Sequence, residues 1–215
     1  MIFLNKAQLK AIRIADRVYS KLKVKAGMTE KEVARQITFL LRQYKSRPSF
    51  RILVGSGKRS AIPHCFAAGK KIKRGELVVI DFGAVYNGYR SDMTRTVIVG
   101  KPSKRQKKIY SIVKKAQAIG IKAVNAGRPC CEVDRKVRDY IRQKGFGKYF
   151  VHTTGHGIGR RVHQAPKISR GNNHKLKLGM VITIEPGIYI KGWGGVRIED
   201  MVLVTKKGCK VLTKS

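Results

Sequence analysis

The sequence predicts an α+β fold made of two like halves, each a pair of helices followed by a β-hairpin. Three observations carry this prediction. First, the chain repeats itself. Ala26-Gly27, Glu32-Val33 and Arg35 recur 100 residues later as Ala126-Gly127, Glu132-Val133 and Arg135, and KIKRGELVVIDFG (71–83) recurs as KLKLGMVITIEPG (175–187). A period this long is a duplication with pseudo-twofold symmetry rather than a solenoid unit. Second, Leu77-Val78-Val79-Ile80 is an apolar run of strand length, and Asn87-Gly88 behind it is a two-residue hairpin signal, because both residues tolerate positive φ. Third, helix signals precede each hairpin, among them the Thr29/Glu32 capping box.

Taken in order, residues 5–25 carry apolar positions at Leu9, Ile12, Ala15 (or Ile14), Val18 and Leu22, a helical spacing with Gly27 as its expected stop. The capping box opens a second helix that runs to about Tyr44. Arg51 to Gly57 reads as a strand entering a Gly-Ser-Gly loop. GSGKRS is not a phosphate loop, because Ile52 stands where that motif needs its first glycine. Gly69 to Gly75 connects to the first hairpin, which Gly100-Lys101-Pro102 closes. A long helix is expected from Ser103 to about Asn125, ending at Gly127, and another from about Cys131 to Lys144, ending at Gly145. VHTTGHGIG (151–159) and a loop follow. A strand is expected at Met180 to Glu185, a glycine-rich turn at 192–195, and a final strand at Val196 to Thr205.

The hairpins carry acids where acids are least comfortable. With the first turn at 87–88, Tyr86 faces Tyr89 and Gly83 faces Asp92, so Asp81 and Asp92 become diagonal neighbours on one face, roughly 5–8 Å apart. Two like charges at the end of an apolar strand repel and are poorly solvated. In the repeat, Asp81 aligns with Glu185, and Asp92 corresponds to Glu199. Facing hairpins would gather these four carboxylates, a third of the chain's 12 acids, and one divalent metal ion or a pair would stabilise them. Four of the five histidines, His64, His152, His156 and His163, stand in the connecting motifs, and His156 lies between two glycines that let backbone approach closely. An imidazole completing a carboxylate-rich site suits Mn, Fe, Co or Zn over a pure Mg or Ca cage. His174 sits in a polar loop and is assigned no role.

Composition bounds the rest. The 42% hydrophobic content supplies a core for 215 residues. The formal net charge is +36, from 48 Lys+Arg against 12 Asp+Glu, which points to a polyanionic neighbour such as RNA, a ribosome or an anionic membrane surface, although the spread of basic residues along the whole chain favours a lysine-rich solvated surface over a discrete binding tail. The four cysteines lack zinc spacing, and an adjacent Cys130-Cys131 pair is a poor disulfide, so reduced thiols in a cytoplasmic setting are expected. No segment approaches the ~20 apolar residues of a membrane span, and the start is too short in apolar residues for a signal peptide.

The segments IPH (62–64), VIDFGAVYNGYRSDMTRT (79–96), HTTGHGIGRRVHQAP (152–166), GMVITIEPGIYI (179–190) and GGVRIEDMVLVT (194–205) resemble the pita-bread metallopeptidases, over nearly the whole chain. Within them the chain is similar to the Xaa-Pro peptidases, prolidase and aminopeptidase P. GYRSDMTRT, TIEPGIYI and the 14-residue spacing from Glu185 to Glu199 favour that branch over methionine aminopeptidase. The resemblance implies a curved, mainly antiparallel sheet covered by helices. It makes residues 1–215 a single catalytic domain with pseudo-repeats of about 1–100 and 101–215, lacking the branch's usual N-terminal domain.

The resemblance also implies two divalent ions, manganese first, with cobalt, iron or zinc as alternatives, held by Asp81, Asp92, His156, Glu185 and Glu199. Asp81 and Asp92 would serve one ion and His156 the other, with Asp92 and Glu199 bridging. His64, His152 and His163 fall on substrate-binding and proton-handling positions, and Tyr189 and Arg197 on supporting ones. The implied reaction is hydrolysis of Xaa-Pro N-terminal peptide bonds by a hydroxide shared between the ions. His163 or His64 would donate to the oxyanion, and Glu185 would carry a proton to the leaving nitrogen. The expected partners are a peptide substrate, a ribosome or RNA through the basic surface, and a second copy in a homodimer. Two alternatives stand beside this reading: nascent-chain processing of the methionine-aminopeptidase kind at the ribosome, and a non-catalytic RNA-binding protein on the same fold.

Overall fold

The computed structural model describes residues 4–214; Met1–Phe3 and Ser215, the ends of the expected 1–215 span, lie outside the described residues. Helix α1 (Lys6–Lys21) starts at Asn5, whose side chain accepts from the Ala7 amide. It buries Ile12, Ile14, Ala15 and Val18, a stripe at helical spacing. The helix stops four residues before the segment's expected end near Lys25. Leu22 is already extended, and the Gln36 side chain takes up the Lys23 amide, so Gly27 (φ 92°) serves a separate turn. Helix α2 (Glu30–Gln43) opens with the predicted reciprocal capping box of Thr29 and Glu32.

Strands β1 (Arg47–Pro48) and β2 (Leu53–Ser56) lead through a 3-10 turn at Gly57–Ala61 to β3 (Leu77–Phe82), β4 (Ala84–Tyr86), β5 (Tyr89–Arg90) and β6 (Met93–Ile98). The predicted register holds: Tyr86 pairs with Tyr89, and the same register continues to Asp81 opposite Thr94. Asn87 and Gly88 both have positive φ, as the two-residue turn requires. Helix α3 (Lys104–Ala123) is capped by Ser103 and Gln106, and α4 (Cys130–Gln143) ends before Gly145 at φ 83°. Then follow β7 (Gly155–Gly157), β8 (Gln164–Ile168), β9 (Val181–Ile184), β10 (Gly187–Ile190), β11 (Gly194–Arg197), β12 (Asp200–Thr205) and β13 (Gly208–Val211). Every strand pairing among the described residues is antiparallel.

The two halves are built alike down to their hydrogen bonds. Gly27 N donates to Ile72 O and Gly127 N to Leu176 O; Ile72 N returns to Met28 O and Leu176 N to Arg128 O. Isolated bridges Thr29–Lys71 and Pro129–Lys175 repeat the same contact. In the first half, α1 and α2 cover Val54, Val78, Ile80 and Phe82. In the second, α3 and α4 cover Ile188, Ile190, Val196 and Ile198, with a further cluster at Ile182, Ile184, Val202 and Val204.

Two expectations need correction. The final strand is not continuous from Val196 to Thr205. Arg197 pairs with Gly187 on β10, whereas Asp200 pairs with Ile184 on β9. Pro186 has no N–H to continue a ladder, so Ile198 and Glu199 form a bend where the chain changes partner. Nor is that strand the last, because β13 pairs with β12 beyond it.

Candidate active site and metal centre

The breaks in the hairpins are where the acids sit. Asp81 is the penultimate residue of β3, and Glu185 directly follows β9; Asp92 directly precedes β6, and Glu199 directly precedes β12. The duplicated ribbon thus delivers one acid at the end of its inner strand and one at the start of its outer strand, twice. The halves are stitched face to face by β6 and the bend at 198–199. Glu199 N donates to Thr94 O, Thr94 Oγ1 donates to Glu199 Oε2 at 2.7 Å, and Thr96 Oγ1 donates to Arg197 O at 2.8 Å.

His156 is brought in by β7. Gly155 lies against β9 so closely that a Cβ there would stand 1.9 Å from Thr183 O, so a glycine beside the histidine is a packing requirement. Thr183 Oγ1 accepts from the His156 amide and donates to Glu185 Oε1 at 3.0 Å. Ligand atoms of Asp92, His156 and Glu199 lie within 4.8 Å of one another. His156 Nε2 is 3.3 Å from Glu185 Oε1 and 3.7 Å from Asp92 Oδ2. Asp81 joins the same cleft with Oδ2 on Arg197 Nη2 at 2.6 Å.

The electrostatics of the cluster suit a cation. Burial, then the charges of Glu199, Asp81 and Glu185, push the Asp92 carboxyl well above the usual carboxylate range. Burial, then Glu185 and Asp81, does the same to Glu199. Glu185 is pushed up to about 7, chiefly by burial. His156 is lowered, burial first, and so favours the neutral imidazole that binds metals. Asp81 Oδ1 and Glu199 Oε1 are buried without any hydrogen-bond partner, an arrangement that native interiors avoid unless an unseen ligand completes it. A set of carboxylate oxygens plus one imidazole nitrogen suits a divalent cation of the Mn, Fe, Co or Zn kind. The residues present therefore fit the metal ions expected from the sequence.

The cleft around the cluster has a volume of about 1280 Å³. His64, His152, His163 and Arg197 line it, as does His174, to which sequence reasoning gives no role. The His163 ring meets the His156 ring edge-on at 4.5 Å. Tyr189 is not among the lining residues. It is buried behind them, accepting from Arg197 Nη1 at 2.7 Å and meeting His152 Nε2 at 2.8 Å. Arg197 also reaches Thr94 Oγ1 and Pro63 O, the latter just before His64. Burial first, then Arg197, lowers His152 to about 3, so this imidazole stays neutral.

Sequence reasoning missed the supports of these groups. Thr94 and Thr183 orient Glu199 and Glu185. Fully buried Asp134 on α4 accepts from Thr154 Oγ1 and Arg138 Nε, and Arg138 donates to Phe150 O and His152 O, so α4 clamps the segment carrying His152. The i,i+4 spacing of Asp134 and Arg138 is visible in the sequence, but their burial is not.

Among the described residues no helix is long and apolar enough to cross a membrane. Residues 6–206 match the model of metallopeptidase family M24. The Xaa-Pro dipeptidase of Pyrococcus furiosus is 47% identical over 209 residues, covering 96% of this chain and 60% of that protein. The structure of an Xaa-Pro dipeptidase from Bacillus anthracis superposes with TM-score 0.96 at 46% identity, over 98% of this chain and 60% of the other. A variant of Escherichia coli aminopeptidase P in complex with substrate gives TM-score 0.89 at 28% identity, over 96% and 54%. The chain thus spans about 60% of the length of the Pyrococcus furiosus and Pyrococcus horikoshii relatives it matches. Its architecture is the pita-bread fold of those peptidases. With hairpins that gather acids around a histidine and a family match along most of its length, this chain belongs to metallopeptidase family M24.

Proposed function

We propose that residues 4–214 act as one catalytic unit that hydrolyses Xaa-Pro N-terminal bonds of dipeptides or short peptides. The reading rests most on one observation: Asp81, Asp92, His156, Glu185 and Glu199 converge on a single cleft, and two of the buried carboxylate oxygens lack any protein partner. The names of the relatives support the substrate class. These five residues would hold two divalent ions, manganese being the proposed choice. Bound there, the ions would acidify water and draw electron density from the scissile carbonyl.

The remaining work falls to the chain's own side chains. Glu185, fixed by Thr183 Oγ1, takes the proton of the attacking water and passes it to the leaving nitrogen. That nitrogen is the secondary amine of proline, which leaves poorly unless protonated. His64 and His163 face the cleft, with no side-chain hydrogen bond among the described residues, and are free to donate to the developing oxyanion. Arg197 holds Asp81 and, through Tyr189, fixes the tautomer and orientation of His152, which contacts substrate from the cleft wall. The four free thiols suit a reducing, cytoplasmic setting.

The test is a substrate series of Ala-Pro, Gly-Pro-peptides and Met-Ala-peptides with added manganese or cobalt. Turnover of the Xaa-Pro substrates is expected. Cleavage of Met-initiated peptides alone, or no turnover with either metal, would remove the proposal.

A further inference from the structure

We propose that the solvent face of α3 is a docking surface for the phosphate backbone of double-stranded nucleic acid, set apart from the catalytic cleft. From Asp92 to Glu132 the chain contains no acidic residue, while α3 exposes Lys104, Lys107, Lys108, Lys114, Lys115 and Lys122. None of these lysines enters an ion pair among the described residues; the lysine that does is Lys70. The stripe runs along roughly 27 Å of helix, enough to follow several phosphates of one strand. It continues onto the turn that leads into β13, where Lys206 and Lys207 are exposed. The two elements are in contact, since Cys209 Sγ lies 3.3 Å from Ile121 O.

The position of the stripe separates the two functions. The buried face of α3 packs Ile109, Ile112, Val113 and Ala116 against Ile188, Ile190, Val196 and Ile198 of β10, β11 and the bend after them. From the same strands, Tyr189 and Arg197 point the other way, toward the cluster of acids. The sheet therefore stands between the lysines and the cleft, and a polyanion on α3 leaves the cleft open.

The chemistry of the stripe selects the kind of polyanion. Between the lysines the helix shows Ser111 and Ala118, with no exposed aromatic or large apolar side chain. A surface that inserts into lipid carries such side chains next to its cations. A single-strand binder carries aromatic platforms for unstacked bases. Cations alone on a straight rod fit a regular phosphate ridge without reading bases. The pseudo-twofold mate supplies the control: α1 exposes Lys6, Lys10, Arg13, Arg17 and Lys21 at a similar spacing, but on a shorter helix of 16 residues against 20 and with Asp16 among them.

The experiment is fluorescence anisotropy of a labelled RNA duplex of roughly 20 base pairs over a salt series, with peptide hydrolysis measured on the same metal-loaded preparations. Four variants on α3 are combined, Lys107→Glu, Lys108→Glu, Lys114→Glu and Lys115→Glu, with the four Lys→Gln changes as a gentler set. The control combines Lys6→Glu, Lys10→Glu, Arg13→Glu and Lys21→Glu. Both α3 sets are expected to weaken duplex binding at least about tenfold and to make the salt slope shallower by roughly 3 to 4, with hydrolysis unchanged. The α1 set is expected to cost less than about threefold. Equal losses from the two helices would show a diffuse charge cloud and overturn the proposal. So would failure of the unaltered protein to bind at near-physiological salt, or binding of anionic vesicles in preference to the duplex. A chain that binds the duplex but hydrolyses nothing would refute the peptidase reading and leave this one standing.

Discussion

Replacing Glu185 by glutamine should make the metal-stripped protein more stable in mild alkali while removing its activity. Glu185 is largely enclosed, with its side chain 16% exposed, beside His156 in the acid cluster, and its carboxyl is pushed up to about 7 from 4.5, chiefly by desolvation. A carboxyl raised on folding contributes its stability in full below about pH 4.5 and loses it as the pH rises through about 7. Each pH unit between the two values is worth about 1.4 kcal/mol, so an ionised Glu185 costs roughly 3 kcal/mol at about pH 8. Glutamine keeps the shape, and its amide oxygen still accepts from Thr183 Oγ1, but it never ionises. The assay is denaturant unfolding of chelator-treated protein at about pH 5 and about pH 8. Wild type should lose about 2–3 kcal/mol more than Glu185→Gln between those values. With saturating manganese the sign reverses for wild type, because the ligands must shed protons to bind. If the two proteins track each other across the pH range without metal, the buried-acid account is wrong.

Three further outcomes follow from the same geometry. Asp92→Asn should lower kcat/KM by about a thousandfold or more and weaken metal retention, since it removes a carboxylate whose ligand atom lies within 4.8 Å of those of both His156 and Glu199; near-normal turnover would refute its place in the cluster. Arg197→Lys should weaken metal affinity by about 10–100-fold, read by competition with a chromogenic chelator, because a lysine cannot hold Asp81, Tyr189 and Pro63 O together. His152, lowered to about 3 by burial and then Arg197, contributes stability that is present above about pH 6.5 and lost as the pH falls toward about 3; His152→Gln should therefore move the acid unfolding midpoint downward, and an unmoved midpoint would show that the imidazole already carries its proton.

Much of the fold and of the acid cluster is legible in the sequence. The Asn87-Gly88 turn fixed the register that places Asp81 opposite Thr94, and the internal repeat carried the same logic to Glu185 and Glu199. Helix ends were legible where a capping box or a glycine stop acts locally, as at Thr29 and Gly145. They were illegible at α1, where the Gln36 side chain from another helix takes up the Lys23 amide. Strands β7 and β8 escaped because GHG is held by close backbone approach to Thr183 and QAPKI contains a proline; neither shows a hydrophobic period. The bend at Ile198–Glu199 escaped for a related reason: the sequence shows a run of strand formers, but not that its partner changes from β10 to β9. The Asp134–Arg138 clamp on residues 150–154 depends on burial that an i,i+4 spacing alone does not announce.

The most direct test of the central claim is calorimetric titration of manganese into chelator-treated protein at about pH 7, in two buffers of different ionisation enthalpy, so that ions and protons are counted together. The account predicts two ions per chain with net release of protons, as Asp92, Glu185 and Glu199 give up protons that burial makes them keep. Absence of binding, or binding that releases no protons, would contradict it.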